Sequence, residues 1–180
     1  KSCPRSMLLL VDASAPPPNS RKDAAAVPPS HRLGMNGRTT DASAEADAPL
    51  LDVLRNSLGL MATRFGCGTE NCGVCMVLVD GVPQYACTFA IDALAGKAVT
   101  TLEGLGTAND PHPLQRAFLD EQAGQCGYCL SGIIISAKAL LDANPRPSRR
   151  EITMALDTHL CRCGAHARII KAVERAPVMM

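Results

Sequence analysis

The sequence contains no tryptophan, and aromatic residues make up only 3% of it although 47% is hydrophobic. Its cores must therefore come from Ala, Leu, Val and Ile. A chain of 180 residues allows one ordinary domain or two small ones. Two small domains built this way have thin cores that an inorganic staple would support. Charge of one sign is also lacking: the formal net charge is +1, with acids and bases interspersed. That removes the electrostatic case for nucleic acid or an anionic membrane as partner. No apolar run approaches the roughly 18 residues needed to span a bilayer. The stretch MLLLV (7–11), after Lys1 and Arg5, is shorter than the ~7–15 apolar residues of a signal-peptide core, and Asp12 ends it. No internal repeat is visible.

What the chain has is cysteine. Residues 65–75, FGCGTENCGVC, hold three cysteines and three glycines with no histidine and no basic residue. The remaining cysteines are Cys3, Cys87, Cys126, Cys129, Cys161 and Cys163.

The segments around them divide the chain. Residues 1–30 hold six prolines and no sustained periodicity, the composition of an extended arm. Asn36-Gly37 lies between short apolar and β-branched stretches, a hairpin signal. Residues 47–60 carry Leu50 or Leu51, Leu54 and Leu58 at helical spacing, with Pro49 near the start and Gly59 at the end. Residues 75–87 give a second hairpin around Asp80-Gly81, and 98–105 a further strand. This is a small α+β unit with a mixed sheet over residues 31–107. Residues 108–180 read differently. Helices are expected over 113–124, 132–145, 148–160 and 165–176, the third opened by the capping box of Ser148 and Glu151, and together they argue a small bundle.

Apart from Cys3 the cysteines form two quartets, one per unit. Cys67, Cys72, Cys75 and Cys87 are spaced C-x4-C-x2-C-x11-C. Cys126, Cys129, Cys161 and Cys163 pair a C-x2-C with a distant C-x-C. Disulfides are one reading, and eight cysteines allow 105 connectivities. Amphipathic helices need no such framework, however, and the two cysteines of a C-x-C do not bond each other easily. Structural zinc sites use cysteines two to four residues apart, often with histidine. The second quartet passes that test and the first fits it poorly. The iron–sulfur reading fits best, because C-x4-C-x2-C with a distant fourth cysteine is the plant-type [2Fe–2S] spacing. Bridging sulfides need backbone N–H donors nearby, and Gly66, Gly68 and Gly73 let the chain take left-handed torsions and approach closely. Glu70 is the loop's one ionisable group besides its thiols, which suits the movement of electrons rather than protons. His31, His112, His159 and His166 share no ligand spacing and are expected in capping or surface roles. Met61, Met76 and Met154 are expected as core filler, and Cys3 as a spare thiol.

These motifs, RFGCGTENCGVCMVLVDG, ACT, TTLEGL, HPLQRAF, QCGYC, ANP and LCRCG, resemble the small iron–sulfur subunit of molybdenum hydroxylases, the xanthine dehydrogenase and aldehyde oxidoreductase superfamily. The match runs over about residues 32–176 and is most similar to the isoquinoline oxidoreductase and membrane-bound aldehyde dehydrogenase types. The resemblance implies a β-grasp ferredoxin domain whose cluster is held by Cys67, Cys72, Cys75 and Cys87. A four-helix domain would hold a second [2Fe–2S] cluster through Cys126, Cys129, Cys161 and Cys163. It further implies a large molybdopterin-binding partner subunit, with Gln125 contacting the pterin and Cys163 lying against it. A cytochrome c or flavin subunit would accept the electrons, in a bacterial complex at either face of the inner membrane, attached through partners. The complex would oxidise an aldehyde or an N-heterocycle with oxygen from water, and this chain would have no substrate site. Leu130 and Ser131 stand where the family often has Thr and Pro, and His166 where it often has an aromatic. Two rival readings are a free-standing two-cluster ferredoxin and a zinc-stapled interaction module.

Overall fold

A computed structural model describes residues 28–179. The arm expected over residues 1–30, with Cys3 and MLLLV, falls almost wholly outside the described residues. Five strands form one mixed sheet in the order β2-β1-β5-β3-β4. Strands β1 (Ser30–Met35) and β2 (Arg38–Ser43) are an antiparallel hairpin, as are β3 (Met76–Val79) and β4 (Val82–Tyr85). Strand β5 (Ala98–Thr100) enters between them, parallel to β1 and antiparallel to β3. This is the β-grasp arrangement that the resemblance implies. Both hairpins turn where expected. Asn36 and Gly37 have φ of 51° and 76°, Asp80 and Gly81 of 50° and 80°, the left-handed pair that a tight two-residue turn between twisted strands requires.

The segment expected as a helix over 47–60 is shorter and wider. Helix α1 (Leu50–Asp52) opens at once into a π-type turn, Val53–Ser57. Its Leu50, Leu51, Val53 and Leu54 are buried against Val77 and Val79 of β3 and Ile91. These four residues form the inward stripe of the segment, and the widened turn is closed by the i→i−5 bond from Leu58 N to Val53 O at 3.0 Å. The strand expected over 98–105 ends at Thr100 and continues as a 3-10 turn, Leu102–Gly104.

Four helices follow: α2 (Pro113–Asp120), α3 (Leu130–Ala143), α4 (Arg149–Ala155) and α5 (His166–Arg175). The third stops well short of residue 160, where the expected helix ended, and Leu160 is 64% exposed outside it. The Ser148–Glu151 capping box forms. A second box, unrecognised in the sequence, opens α2: His112 Nδ1 accepts from Leu114 N at 3.1 Å, while Gln115 Oε1 accepts from His112 N. The four helices share a core that includes Leu114, Ile133, Ile152 and Ile169.

The two units are not independent. Every residue of β3 is buried because both its faces are covered. Val77 and Val79 face the sheet's own core, whereas Met76 and Leu78 pack against Ile135 of α3. This explains a continuous MVLV run where a half-exposed strand would alternate. None of the described helices is long and apolar enough to cross a membrane.

Candidate metal centres

The first quartet sits on the loop between Gly59 and β3, with Cys87 just beyond β4. Arg55 holds that loop to the widened turn, its Nη1 donating to the carbonyls of Met61 at 2.9 Å and Thr63 at 2.7 Å. The backbone N–H groups of Thr69 and Asn71 donate to Cys67 Sγ at 3.4 and 3.2 Å, and that of Cys67 to Cys72 Sγ at 3.3 Å. These are the donors expected around sulfur atoms that carry negative charge. The backbone bond from Thr69 holds the exposed Cys67 thiol down to about 6, whereas burial pushes Cys75 up to about 12. A thiol as costly to ionise as Cys75 loses its proton only when a cation takes its place.

The loop's glycines divide between the two expected roles. Gly68 and Gly73 have positive φ, as expected, but Gly66 does not. Gly66 is needed for space, since a Cβ there would stand 2.5 Å from Cys72 Sγ.

The second quartet comes from two loops, one ending at the start of α3 and the other joining α4 to α5. Cys126 Sγ and Cys163 Sγ are 3.4 Å apart, and the buried thiols of Cys129 and Cys161 meet each other. The pKa pattern repeats. A backbone bond from Tyr128 lowers Cys126, and burial pushes Cys129 up to about 12. Within the quartets Cys126 meets Cys163 at 3.4 Å, Cys67 neighbours Cys72, Cys75 neighbours Cys87 and Cys129 neighbours Cys161, while Cys72 is also felt at Cys75 and Cys126 at Cys129. One tetrahedral zinc needs all four donors around one centre. A two-iron cluster needs two thiolates on each of two irons.

The two loops touch. Leu160 N donates to Cys72 O at 3.1 Å. Ser131 Oγ, buried in the first turn of α3, donates to Val74 O at 3.4 Å, a bond that proline at this position has no group to make. A Cβ on Gly132 would overlap the Gly73 carbonyl, so this close approach of α3 to the first loop needs glycine. Tyr128 donates its hydroxyl to Phe65 O at 2.6 Å and carries the Arg64 guanidinium over its ring at 5.2 Å, while Arg64 Nη1 donates to Gly127 O at 3.0 Å. A cavity of about 340 Å³, lined by Cys67, Cys72, Cys126, Cys129, Tyr128 and Leu160, lies where the loops meet.

His159 is neither a cap nor a surface residue. It is 5% exposed, its Nε2 is 2.8 Å from Ser136 Oγ, and burial alone holds its pKa down to about 4. Its place was not legible because nothing in HLCRC marks a histidine as buried. Met61 and Met154 also depart from expectation, at 54% and 66% exposed, while Met76 is core. Gln125 is exposed, with Nε2 3.4 Å from Cys163 O. The two residues expected at the pterin therefore share one surface, beside an apolar cavity of about 550 Å³ lined by Gln125, Phe118, Leu119 and Leu130.

Comparison with known proteins identifies the domains that carry the two quartets. Residues 34–98 match the model of a 2Fe-2S iron-sulfur cluster binding domain, and residues 101–174 that of a [2Fe-2S] binding domain. A nicotinate dehydrogenase subunit from Pseudomonas putida is 51% identical over 144 residues, covering 80% of this chain and 92% of that protein. The alpha subunit of isoquinoline 1-oxidoreductase from Brevundimonas diminuta is 48% identical over 130 residues, covering 72% and 85%. The crystal structure of quinoline 2-oxidoreductase from Pseudomonas putida 86 superposes with a TM-score of 0.81 at 32% identity, over 86% of this chain and 95% of that one.

Proposed function

Since this chain belongs to the small iron–sulfur subunits of molybdenum hydroxylases, we propose that it carries single electrons from a large molybdopterin subunit to an acceptor subunit during hydroxylation of an N-heteroaromatic compound. The substrate class is suggested by the ring systems named for the relatives: nicotinate, isoquinoline and quinoline. The acceptor is a cytochrome c or flavin subunit, and water supplies the oxygen.

The observation that carries the reading is the gathering of eight cysteines into two quartets on loops that touch. On this reading Cys67, Cys72, Cys75 and Cys87 hold one [2Fe–2S] cluster and Cys126, Cys129, Cys161 and Cys163 the other. Each cluster, when bound, supplies one-electron redox chemistry. The protein's own residues do the rest. Backbone N–H groups of Thr69 and Asn71 offset negative charge at Cys67. Burial of Cys75 and Cys129 keeps water from the inner side of each centre. Contact between the loops, through Leu160 and Cys72, shortens the path an electron must cover. Gln125 presents its amide beside Cys163 for the pterin of the large subunit. No residue of this chain is assigned a role in substrate chemistry.

The test is reconstitution. The isolated chain is expected to bleach with dithionite but to oxidise no heterocycle. Added large subunit restores bleaching by substrate, and Gln125→Ala slows that bleaching while leaving iron content unchanged. Dehydrogenase activity with an artificial dye from this chain alone would overturn the assignment.

A further inference from the structure

We propose that His159, although it belongs to the helical domain, is the positioning residue for the first cysteine loop, a ring wedged between Ser136 and Gly73 that sets how the two quartets stand relative to each other.

The ring is held from both sides. His159 N bonds to Leu156 O at 3.0 Å, fixing the backbone just after α4. Its Nε2 lies 2.8 Å from Ser136 Oγ, in the middle of α3, and both side chains are buried. The opposite edge rests on Gly73: a Cβ there would overlap Nδ1 and stand 2.6 Å from Cε1 and 2.8 Å from Cγ. Gly73 follows Cys72 and lies two residues before Cys75, and His159 lies two residues before Cys161. One rigid ring therefore spans from α3 to the first ligand loop while its own backbone leads into the second.

Space-filling does not account for a histidine here. Leucine would occupy comparable volume without a polar atom to satisfy, whereas Nδ1 of His159 has no hydrogen-bond partner among the described residues. A buried nitrogen left without a partner calls for a physical explanation. This nitrogen is aimed at the loop that carries Cys72 and Cys75. Because packed interiors transmit displacement instead of absorbing it, releasing the ring from Ser136 should move the Gly73 loop, and with it the surroundings of the first cluster.

The inference rests on the cluster assignment, which iron content and the presence of two paramagnetic signals in the parent protein decide separately. The experiment uses the full chain with its clusters, in Ser136→Ala, which frees the ring, and His159→Leu, which replaces it. Both variants are expected to retain the parent's iron content. In both, the g-values and midpoint potential of the cluster that Cys72→Ser abolishes should shift, and the magnetic interaction between the two clusters should change. Leu114→Val, a buried change in α2, serves as a control that lowers stability and moves neither potential. Unchanged spectra and potentials in both fully loaded variants would overturn the proposal. So would joint loss of both clusters in both variants, which would make His159 a folding residue only.

Discussion

Leu160 donates its backbone N–H to the carbonyl of Cys72 at 3.1 Å, joining the segment that carries one cysteine quartet to the segment that carries the other. Leu160 precedes Cys161 directly, so Cys72 of the first quartet and Cys161 of the second are separated by a single hydrogen bond and a few covalent bonds. The Leu160 side chain is 64% exposed, so its backbone rather than its packing makes this link.

Leu160→Pro removes that donor. Both clusters should still load, and stability should fall by about 0.5–1.5 kcal/mol, the worth of one such bond. Rapid-freeze electron paramagnetic resonance should show slower equilibration of electrons between the clusters. Parent-like equilibration would mean that the path runs elsewhere.

The two centres should be separable by mutation. The parent should bind about four irons as two [2Fe–2S] clusters with distinct signals, since their donors and exposure differ. Cys72→Ser should remove one signal and Cys129→Ser the other, each with loss of about half the iron. Stoichiometric zinc, or one signal lost in both variants, would sink the assignment.

Ile135 is 1% exposed and packs on Met76 and Leu78 of β3. Ile135→Ala should cost about 2–5 kcal/mol, as truncation of a buried aliphatic does. The denaturant midpoint should fall for both clusters together, because this contact couples the helical unit to the sheet. A loss confined to one cluster would show that the units unfold separately.

His112 caps α2 through Nδ1, which accepts from Leu114 N and can do so only when that nitrogen is unprotonated. Burial first, and Lys138 second, hold its pKa below 6.5, with Asp142 opposing. The folded-state value is thus below the unfolded one, so acid protonates the unfolded chain first. The stabilisation is complete above about pH 6.5 and is lost as pH falls through the lowered value. Denaturant midpoints taken from pH 8 downward should show this decline, and His112→Asn, which keeps a capping oxygen, should flatten it. An unchanged profile in that variant would assign the decline to another group.

Local rules made much of this protein legible before folding. The Asn36-Gly37 and Asp80-Gly81 turns follow from torsions that few residues tolerate. The Ser148–Glu151 cap follows from orphan N–H groups at a helix start. The spacing of Cys67, Cys72 and Cys75 is the plant-type [2Fe–2S] spacing, carried on one loop. Each is settled within about a dozen residues, so sequence alone determined it, and with it two metal-binding units in a fixed order. Tertiary structure decided what depends on distant segments meeting. It widened the end of α1 into a π-type turn, and it covered β3 on both faces. It also ended α4 before Leu160, which freed that backbone N–H for Cys72, and buried His159 between Ser136 and Gly73, residues far apart in the chain. Hydrophobic periodicity reports which face of an element is buried, but not which loop from the other domain comes to rest on it.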